Sequence, residues 1–390
     1  MGWNAVRVLA ANHDVWVLTR ANNRPAIEAA LADEPLPRVQ FVYYDLPGWA
    51  RWWKRGAAGV QIYYYLWQLA IYPIARRLQR RVGFDVAHHI TFGKYWAPSL
   101  LWRLPVPFLW GPVGGGESAP RPFWRDFGVR GRLFETWRET ARWCGEHDPL
   151  VRLTARRSAL ALAKAADTAA RLLVLGARDV EVYSEGGLLM ADLAHLAHCA
   201  EPPSEGLRFC AIGRLLHLKG FHLGLRAFAR ARIPEAEYWI IGDGPERRRL
   251  EAEASALGVA DRVRFWGWLS HADTLRRLEE VHVLVHPTLH DSGGGVTLEA
   301  MAIGRPVICL DLGGPSAQVV DGTGVKVTGR DPDQAVRDLA RSMRQVADDP
   351  ALRTQMGEAG RRRSREAYAW ANQGPILEAY YRRAIRNGNG

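Results

Sequence analysis

The alternation of hydrophobic and polar residues divides the second half of the chain into short strands and helices. Residues 281–285 and 307–310 are apolar runs, and residues 296–303 between them have the composition of a helix. Gly304 and Pro306, which follow the helical run, are common helix stop signals. The pattern predicts one strand–loop–helix–strand unit of a parallel sheet.

Three consecutive glycines, Gly293, Gly294 and Gly295, open the helical run, and a carboxylate lies on each side of them. Asp291 precedes the glycines and Glu299 follows eight residues later. Backbone amides at a helix start, here from Gly294 to Val296, favour an anion such as a diphosphate. Carboxylates accept hydrogen bonds from vicinal hydroxyls, so Glu299 is a candidate for ribose and Asp291 for a sugar beyond the phosphates. A glycine loop with solvated carboxylates and no ligand has the same pattern.

A second candidate for phosphate binding lies near the start of the same half. A predicted strand ends at Gly213, and Arg214 and Lys219 follow it before the next helical run. Two cations at the mouth of a sheet would neutralise a diphosphate leaving group. A further strand ends in the same way at Gly242 and Gly244.

These features together resemble the donor-binding half of retaining family-four glycosyltransferases with the GT-B fold. The resemblance covers residues 207–381 well and includes E-A-M at 299–301, G-R-P at 304–306 and the spacing of the Arg–Lys pair. The family has Glu where this chain has Asp291, which is shorter but keeps the charge.

The resemblance implies an α/β fold with two Rossmann-like domains whose parallel sheets face each other across a cleft. It implies that a nucleoside diphosphate sugar is the donor substrate, with no cofactor and no metal. Arg214 and Lys219 would hold the donor diphosphate, Glu299 the ribose and Asp291 the sugar. In relatives, the loop that follows the strand at residues 262–269 lies against the nucleobase.

The first half offers candidates for the acceptor side. A strand at residues 84–92 carries His89 near its end, and a strand at 105–113 leads into Gly114, Gly115, Gly116 and Glu117. Ligands of open α/β sheets collect at such strand ends. His89 is therefore a candidate proton carrier or donor to the leaving phosphate, and the glycine loop with Glu117 is a candidate acceptor contact. A histidine that caps a strand and a tight turn would give the same sequence.

Aromatic and basic residues are interleaved between residues 49 and 81, beginning with Trp49 and Trp52. This composition suits an interfacial membrane contact or stacking against sugars, whereas a core helix at 61–74 with a solvated basic end is the alternative. The net charge of +11 favours an anionic partner. Dispersed basic residues without a recognition motif argue against nucleic acid.

The cysteines and the absence of long apolar runs indicate the cellular location of the protein. The four cysteines form no C-x-x-C pair, and no apolar run reaches transmembrane length. We therefore expect reduced thiols and a cytoplasmic location, with peripheral contact to the inner membrane surface.

A chain of 390 residues is longer than chains that fold around a single hydrophobic core, so two domains are expected. The predicted domains are an acceptor-side domain at 1–200, a linker at 201–206, a donor domain at 207–368 and a closing helix at 369–390 that crosses back.

Three shorter segments of the chain also allow predictions. Residues 121–175 are predicted to be largely helical, and residues 172–183 to form the last strand of the first domain. Asp331-Pro332-Asp333 resembles a metal-binding D-x-D motif, but Asp before Pro is typical of a helix N-cap. The family's opening strand and glycine loop have no counterpart before the helical run at 2–11, which suggests that Met1 is an internal start.

The sequence therefore predicts a retaining glycosyltransferase that moves a sugar from a nucleoside diphosphate sugar to a hydroxyl acceptor. The basic, aromatic first half favours a lipid-linked acceptor or an envelope or exopolysaccharide glycan. Two alternatives remain. One is another GT-B enzyme such as a sugar-nucleotide epimerase, and the other is a non-catalytic sugar-nucleotide-binding scaffold.

Overall fold

The computed structural model describes residues 2–52, 54, 59–184, 187–197, 202 and 206–388. It forms two compact units. Unit 1 comprises Met1–Gly116, Thr140–Tyr183 and Trp370–Gly390, and unit 2 comprises Glu117–Glu139 and Ser184–Ala369. Residues 117–139 thus belong to unit 2, although the sequence analysis expected them in the first domain. Most of the predicted linker, residues 201 and 203–205, lies outside the described residues.

The described strands are short, and all of them pair in parallel. They are β1 (Val15–Arg20), β2 (Val39–Tyr44), β3 (Ala87–His89), β4 (Phe108–Val113), β5 (Leu160–Ala163), β6 (Val180–Val182), β7 (Arg208–Ile212), β8 (Glu237–Ile241), β9 (Val263–Gly267), β10 (Val283–His286), β11 (Val307–Leu310) and β12 (Gly324–Val327).

Helices connect most of these strands, as parallel pairing requires. They are α1 (Gly2–Leu9), α2 (Arg24–Asp33), α3 (Val60–Val82), α4 (Val129–His147), α5 (Pro149–Arg157), α6 (Ala166–Leu175), α7 (Met190–Ala197), α8 (Phe221–Ala231), α9 (Arg247–Ala256), α10 (His271–Glu279), α11 (Gly295–Ile303), α12 (Gly313–Gln318), α13 (Pro332–Asp348), α14 (Pro350–Tyr368) and α15 (Gln373–Gly388). None of the helices that the structure describes combines the length and the apolar character needed to cross a lipid bilayer.

Unit 2 is built on a six-stranded sheet in the order β12-β11-β10-β7-β8-β9. Successive residues of each strand point to opposite faces of the sheet. Because apolar residues occupy successive positions of these strands, both faces of the sheet are apolar. Phe209 belongs to a core that includes α8 and α13. Its neighbour Cys210 belongs to a second core on the other face, formed with α11 and α14. Burial on both faces explains why these strands are continuous apolar runs.

Unit 1 contains a β1-β2 pair and a separate sheet in the order β3-β4-β5-β6. The four-stranded sheet packs its large side chains, such as Trp110, against α5 and α6. In α3, Tyr63, Trp67 and Ile71 recur every four residues and are buried with Leu46. The core-helix interpretation of this segment therefore fits the buried face of α3.

Several predicted elements are confirmed, and others are corrected. The predicted strand at 307–310 is β11, and the helix at 296–303 is α11, whose C-cap Gly304 has a φ of 83°. The expected strand at 172–183 is wrong in its first part, because residues 172–175 complete α6 and only Val180–Val182 form a strand. The structure also places β5 inside the region expected to be helical.

Candidate active site

The carboxyl ends of β7 and β10 lie side by side at the point where the strand order of unit 2 reverses. Leu284 of β10 pairs with Cys210 of β7. The chain continues from β7 to β8 on one side and from β10 to β11 on the other. Loops that diverge in this way leave a crevice, which is where open α/β sheets bind ligands. The loops after β7 and β10 carry Lys219 and Asp291, two of the residues predicted from the sequence.

Lys219 and Asp291 form an ion pair in this crevice. Lys219 Nζ donates to Asp291 Oδ2 at 2.5 Å, and the two side chains are 21% and 16% exposed. His286 Nε2 lies 3.6 Å from the same oxygen. Burial raises the pKa of the Asp291 carboxyl, but the nearby His286 ring and the Lys219 ammonium outweigh this effect and hold that pKa well below its usual range. Asp291 is therefore ionised at neutral pH, and its negative charge lies next to the positive charge of Lys219 in the crevice.

The N-terminus of α11 begins four residues after Asp291, at Gly295, and has open space beside it. Gly294 is the N-cap of the helix, and a Cβ placed on Gly293 or Gly295 would meet no heavy atom within 4 Å. The first amide groups of a helix have no acceptor within the helix. Beside Gly294 lie Thr297 Oγ1 and the side chain of Gln318, whose polar atoms are buried without a hydrogen-bond partner among the described residues. Unpaired donors and acceptors with free space suit a polar, anionic ligand.

Two glycines at the start of α12, Gly313 and Gly314, pack closely against the loop that carries Asp291. Gly314 N donates to Asp291 O at 2.7 Å. A Cβ on Gly313, whose φ is 60°, would come within 2.3 Å of the same oxygen, and one on Gly314 would come within 2.8 Å of Ser292. Only glycine allows two loops to approach this closely. The position of Asp291 thus depends on this glycine pair.

The predicted glycines Gly213, Gly242 and Gly244 are brought together at the ends of β7 and β8. A Cβ on Gly242 would lie 2.0 Å from Gly213 O, and one on Gly244 would lie 2.5 Å from Leu215 O. These glycines therefore allow backbone-to-backbone packing. Beside them is a cavity of about 430 Å³ whose lining includes Arg214 and Trp268.

Trp268, which also lines this cavity, is not among the site residues predicted from the sequence. Its residue is 79% exposed, although tryptophan is among the largest apolar side chains. The predicted strand at 262–269 included Trp268, but β9 ends at Gly267, so Trp268 begins the loop that follows the strand. An exposed indole at the edge of a cavity is suited to stacking on a planar base.

Glu299 lies one turn into α11 and has a partner that the sequence did not indicate. His271 Nε2 is 2.9 Å from Glu299 Oε1, and the Glu299 side chain is 17% exposed. His271 begins α10, and the Ser270 side chain caps that helix by accepting from Asp273 N. The carboxylate is therefore held in place near the helix start by a ring from the neighbouring helix.

A network of buried charges reaches the same two loops from residues 117–139. Arg138 donates from Nη1 and Nη2 to Glu117 O at 3.1 and 3.0 Å, and from Nη1 to His290 Nε2 at 2.8 Å. Arg138 Nε lies 3.2 Å from Glu135 Oε2, and His217 Nε2 lies 3.1 Å from Glu135 Oε1. Glu117, predicted on the acceptor side, thus belongs to unit 2, and its carboxylate is 3.8 Å from His290 Nε2. Glu135 and Arg138, three residues apart on α4, were missed by the sequence analysis.

The glycines predicted on the acceptor side are packed against other parts of unit 1. Gly116 N donates to Thr168 Oγ1 at 3.0 Å, and Gly114 N donates to Gly93 O at 2.6 Å. A Cβ on Gly115 would come within 2.5 Å of the Trp96 ring, and one on Gly116 would come within 2.5 Å of Thr168 Cα. The contacts of this loop match the tight-turn interpretation.

His89 is buried in unit 1, with 8% of its surface exposed. Its Nε2 donates to Thr91 O at 2.5 Å and lies 3.2 Å from the Tyr64 hydroxyl oxygen. Burial lowers the pKa of His89 to about 4, against a smaller opposite effect of the Thr91 carbonyl. These contacts match a histidine locked in one tautomer. A role for His89 in proton transfer stays a prediction.

The D-x-D sequence at 331–333 is a helix start, as predicted. Asp331 is the N-cap of α13, its side chain accepts from Gln334 N, and Pro332 occupies the first turn. Asp333 accepts from Arg125 Nη2 at 2.6 Å. Across the described residues, no three His, Cys, Asp or Glu side chains are grouped as metal ligands.

Comparison with known proteins places this chain in a family. Residues 200–363 match the family model described as "Glycosyl transferases group 1". The chain is 35% identical over 188 residues to the lipopolysaccharide core biosynthesis glycosyltransferase LpsE of Rhizobium meliloti, a match that covers 47% of this chain and 52% of that protein. The chain therefore spans about half the length of this relative.

Two further comparisons cover most of the chain. It is 33% identical over 350 residues to the 2-deoxystreptamine N-acetyl-D-glucosaminyltransferase of Streptomyces fradiae, covering 83% of this chain and 76% of that protein. A crystal structure of Anabaena HepE in complex with UDP superposes with a TM-score of 0.58 at 16% identity, over 94% of this chain and 99% of that one. The chain belongs to the group 1 glycosyltransferases and has the GT-B fold.

Proposed function

We propose that this protein transfers a sugar from a nucleoside diphosphate sugar to a hydroxyl group of a glycan or lipid-linked acceptor, with retention of anomeric configuration. The observation that carries the proposal is the Lys219–Asp291 ion pair beside the open N-terminus of α11. It lies at the switch point of a sheet within the residues that match the glycosyltransferase family. Such a site combines a cation and free amides for phosphate with a carboxylate for sugar hydroxyls.

Each charged residue has a distinct part in the proposed reaction. Lys219, Arg214 and the amides of Gly295 and Val296 bind the diphosphate and stabilise its charge as the bond to the sugar breaks. Asp291 accepts hydrogen bonds from the sugar, and Glu299 accepts them from the ribose. No side chain is assigned as a covalent nucleophile. The rate enhancement then comes from stabilising the leaving group and from holding the acceptor hydroxyl close to the anomeric carbon.

The donor base is proposed to be uracil. The Anabaena HepE structure contains UDP, and the cavity beside Gly213 has a volume of about 430 Å³ with Trp268 and Arg214 in its lining. A cavity of this size fits a nucleoside, and the indole offers a face on which a base can stack.

The acceptor is proposed to be a glycan of the cell envelope, reached at the inner membrane surface from the cytoplasm. The relative from Rhizobium meliloti is named for lipopolysaccharide core biosynthesis. In unit 1, Trp49 and Trp52 are 79% and 76% exposed, and Arg51 lies between them. Exposed tryptophans beside arginine suit the headgroup region of an anionic bilayer. Trp53 and residues 55–58, which belong to the same aromatic and basic stretch, lie outside the described residues.

A panel of UDP, GDP, ADP and dTDP sugars tests the proposal, with nucleoside diphosphate release as the measurement. Release from UDP sugars that is lost in Arg214→Ala and Lys219→Met would support sugar transfer. Proton NMR of the glycoside formed with a model alcohol would then show whether the anomeric configuration is retained. Tight UDP binding without release of product favours a scaffold, and a changed free sugar nucleotide favours an epimerase. No binding of any nucleotide would overturn the assignment of the site.

A further inference from the structure

Two charged side chains on α4 are buried although they lie outside the residues that match the family model. Glu135 has no exposed surface, and the Arg138 side chain is 10% exposed. The matched region begins only at residue 200. Buried charges are costly unless they are paired and hydrogen-bonded, so a buried pair that bonds to other groups calls for a functional explanation.

Each of the two ions holds a histidine that lies close in sequence to a charged residue of the donor site. Glu135 Oε1 is 3.1 Å from Nε2 of His217, which precedes Lys219 by two residues. Arg138 Nη1 is 2.8 Å from Nε2 of His290, which directly precedes Asp291. The pair therefore reaches both sides of the ion pair in the crevice.

The chemistry of the two ions fixes the protonation of both rings. A guanidinium only donates hydrogen bonds, so His290 Nε2 must accept, and the neutral ring carries its proton on Nδ1. A carboxylate only accepts, so His217 Nε2 must carry a proton. Burial lowers the pKa of His290 to about 4, and the positive charge of Arg138 adds to this effect. Both rings are thus held in one orientation with one pattern of donors and acceptors.

We propose that Glu135 and Arg138 are positioning residues of the donor site, which act through His217 and His290 to hold the loops that carry Lys219 and Asp291. This proposal rests on the proposed function, because the proposed sugar transfer is what makes the site between these loops a donor site. It extends the functional residues of the donor site to a segment of the chain well before the matched region. Neither residue is assigned a contact with the donor.

If Arg138 has this role, changing it should lower the rate of sugar transfer more than it lowers the affinity for UDP. UDP is held by Arg214, Lys219 and the amides of α11, which remain present when Arg138 is changed. The sugar is placed by Asp291, whose loop loses its fixed neighbour. Because small misplacements of reacting groups lower rates by about two orders of magnitude, Arg138→Lys should lower kcat by roughly 10- to 100-fold. Lysine keeps the charge but cannot form the same forked set of hydrogen bonds.

A double-mutant cycle tests the proposed path. The kcat values and the Kd for UDP are measured for the wild-type chain, Arg138→Lys, His290→Asn and the double variant, with Arg130→Lys as the control. Arg130 is an exposed arginine on the same helix. We expect the Kd for UDP to change less than threefold, and the double variant to be no slower than the slower single variant. Independent, multiplicative effects on kcat, or an unchanged kcat in Arg138→Lys, would overturn the proposal.

NMR titration of the His290 ring gives a readout that does not depend on turnover. The charged and titratable groups that act on His290 are Arg138, Glu117, Glu135, Asp291 and Lys219. Arg138→Gln should raise the pKa of His290 from about 4 towards its ordinary value, and Arg130→Gln should leave it unchanged. An unchanged His290 pKa in Arg138→Gln contradicts the contact. If Arg138→Gln does not fold, Glu135→Gln carries the test through His217, with an expected loss of kcat and a weaker affinity for UDP, because the loop next to His217 carries Lys219; an unchanged kcat and Kd would overturn the proposal.

The two arms separate this proposal from the proposed function. If the wild-type chain released no nucleoside diphosphate from any donor, sugar transfer would be wrong. The His290 titration would still decide whether Arg138 sets the state of the loop, because a His290 pKa that does not respond to Arg138→Gln overturns the positioning role in either case.

Discussion

Two glycine loops of this chain have similar sequences but different surroundings. In unit 1, a Cβ on Gly115 would overlap the Trp96 ring and one on Gly116 would overlap Thr168, and the Gly116 amide already has an acceptor. In unit 2, Gly293 and Gly295 face open space at the start of α11. Glycine is needed in the first loop because a side chain would not fit. In the second loop, it leaves room beside amide groups that have no partner in the helix.

The comparison shows that the sequence pattern of a strand followed by glycines does not by itself identify a binding site. The same pattern serves close packing in one unit and leaves an open helix start in the other. The difference lies in what surrounds the glycines. In the first loop, the Gly116 carbonyl accepts from Arg142 Nη1 at 3.4 Å, so this cation is bound to the loop backbone. In the second loop, Lys219 lies beside Asp291, and the polar atoms of Thr297 and Gln318 are buried without a hydrogen-bond partner among the described residues.

The largest expected effect follows from removing the cation of the open loop. Lys219→Met should lower kcat/KM by about 10²- to 10³-fold, because a single charge aimed at the leaving group contributes roughly 3 to 4 kcal/mol. Steady-state assays of nucleoside diphosphate release measure it. Lys326→Met, a change of another lysine of unit 2 that lies outside the crevice, serves as the control. A loss smaller than fivefold in Lys219→Met would remove this loop from the site.

Alanine substitutions test the comparison between the two loops directly. Gly116→Ala should reduce the free energy of unfolding by about 1 to 3 kcal/mol, because the added Cβ overlaps Thr168. Gly295→Ala should leave stability unchanged or raise it by about 0.5 kcal/mol, since alanine is favoured over glycine in a helix. The same Gly295→Ala change should weaken UDP binding at least tenfold by filling the space for the ligand. Urea unfolding and calorimetric UDP titration of both variants measure these effects.

The opposite pattern would reverse the comparison. If Gly116→Ala folded normally and lost nucleotide binding while Gly295→Ala bound UDP like the wild type, the packed loop of unit 1 would be the ligand site.

The proposed base contact should have a smaller effect. Trp268→Ala removes a 79% exposed side chain, so the unfolding midpoint should not change. The affinity for UDP should fall about tenfold, because stacking of one base contributes roughly 1 to 3 kcal/mol. Trp143→Ala, a change of another exposed tryptophan, should leave the affinity unchanged. Equal affinities for UDP and for pyrophosphate in the wild-type protein would contradict a base contact.

A last expected effect, small near neutral pH and growing as the pH falls, is a loss of stability in mild acid that both units share. The pKa values of His89 in unit 1 and His290 in unit 2 are lowered to about 4. Because unfolding returns each ring to its ordinary pKa near 6.5, the folded state binds fewer protons between these values. Stability is then full above about pH 6.5 and falls by up to about 1.4 kcal/mol per pH unit for each ring down to about pH 4.

Urea unfolding at several pH values between 7 and 4 checks this dependence. His89→Asn and His290→Asn should each make the decline less steep. A stability that is constant over this range would show that neither ring is held neutral by the fold.

The parts of the fold with strong apolar runs were predictable from sequence. The strand at 307–310 and the helix that ends at Gly304 were found because burial on both faces of the sheet leaves continuous apolar segments with clear stop signals. The strand β5, Leu160–Ala163, was not found, since two of its four residues are alanine and the neighbouring helices have similar composition. Residues 172–175 were assigned to a strand because their apolar side chains fit either periodicity.

The candidate site was predictable where one local segment holds its residues. Asp291, the glycines and Glu299 lie on one loop and helix, and Lys219 was found through its spacing from Arg214. The contacts of Arg138 with His290 join positions 152 residues apart, and no local pattern indicates them. The packed state of Gly116 depends on Thr168, which lies 52 residues away in sequence. Distant partners of this kind decide between a turn and a ligand loop.

A crystal structure of the chain with UDP tests the central claim most directly. The account predicts that the β-phosphate lies within hydrogen-bond distance of the Gly295 and Val296 amides and of Lys219 Nζ. It also predicts that the uracil ring stacks on Trp268. A β-phosphate bound at the Gly114–Gly116 loop, or anywhere away from the start of α11, would contradict the account.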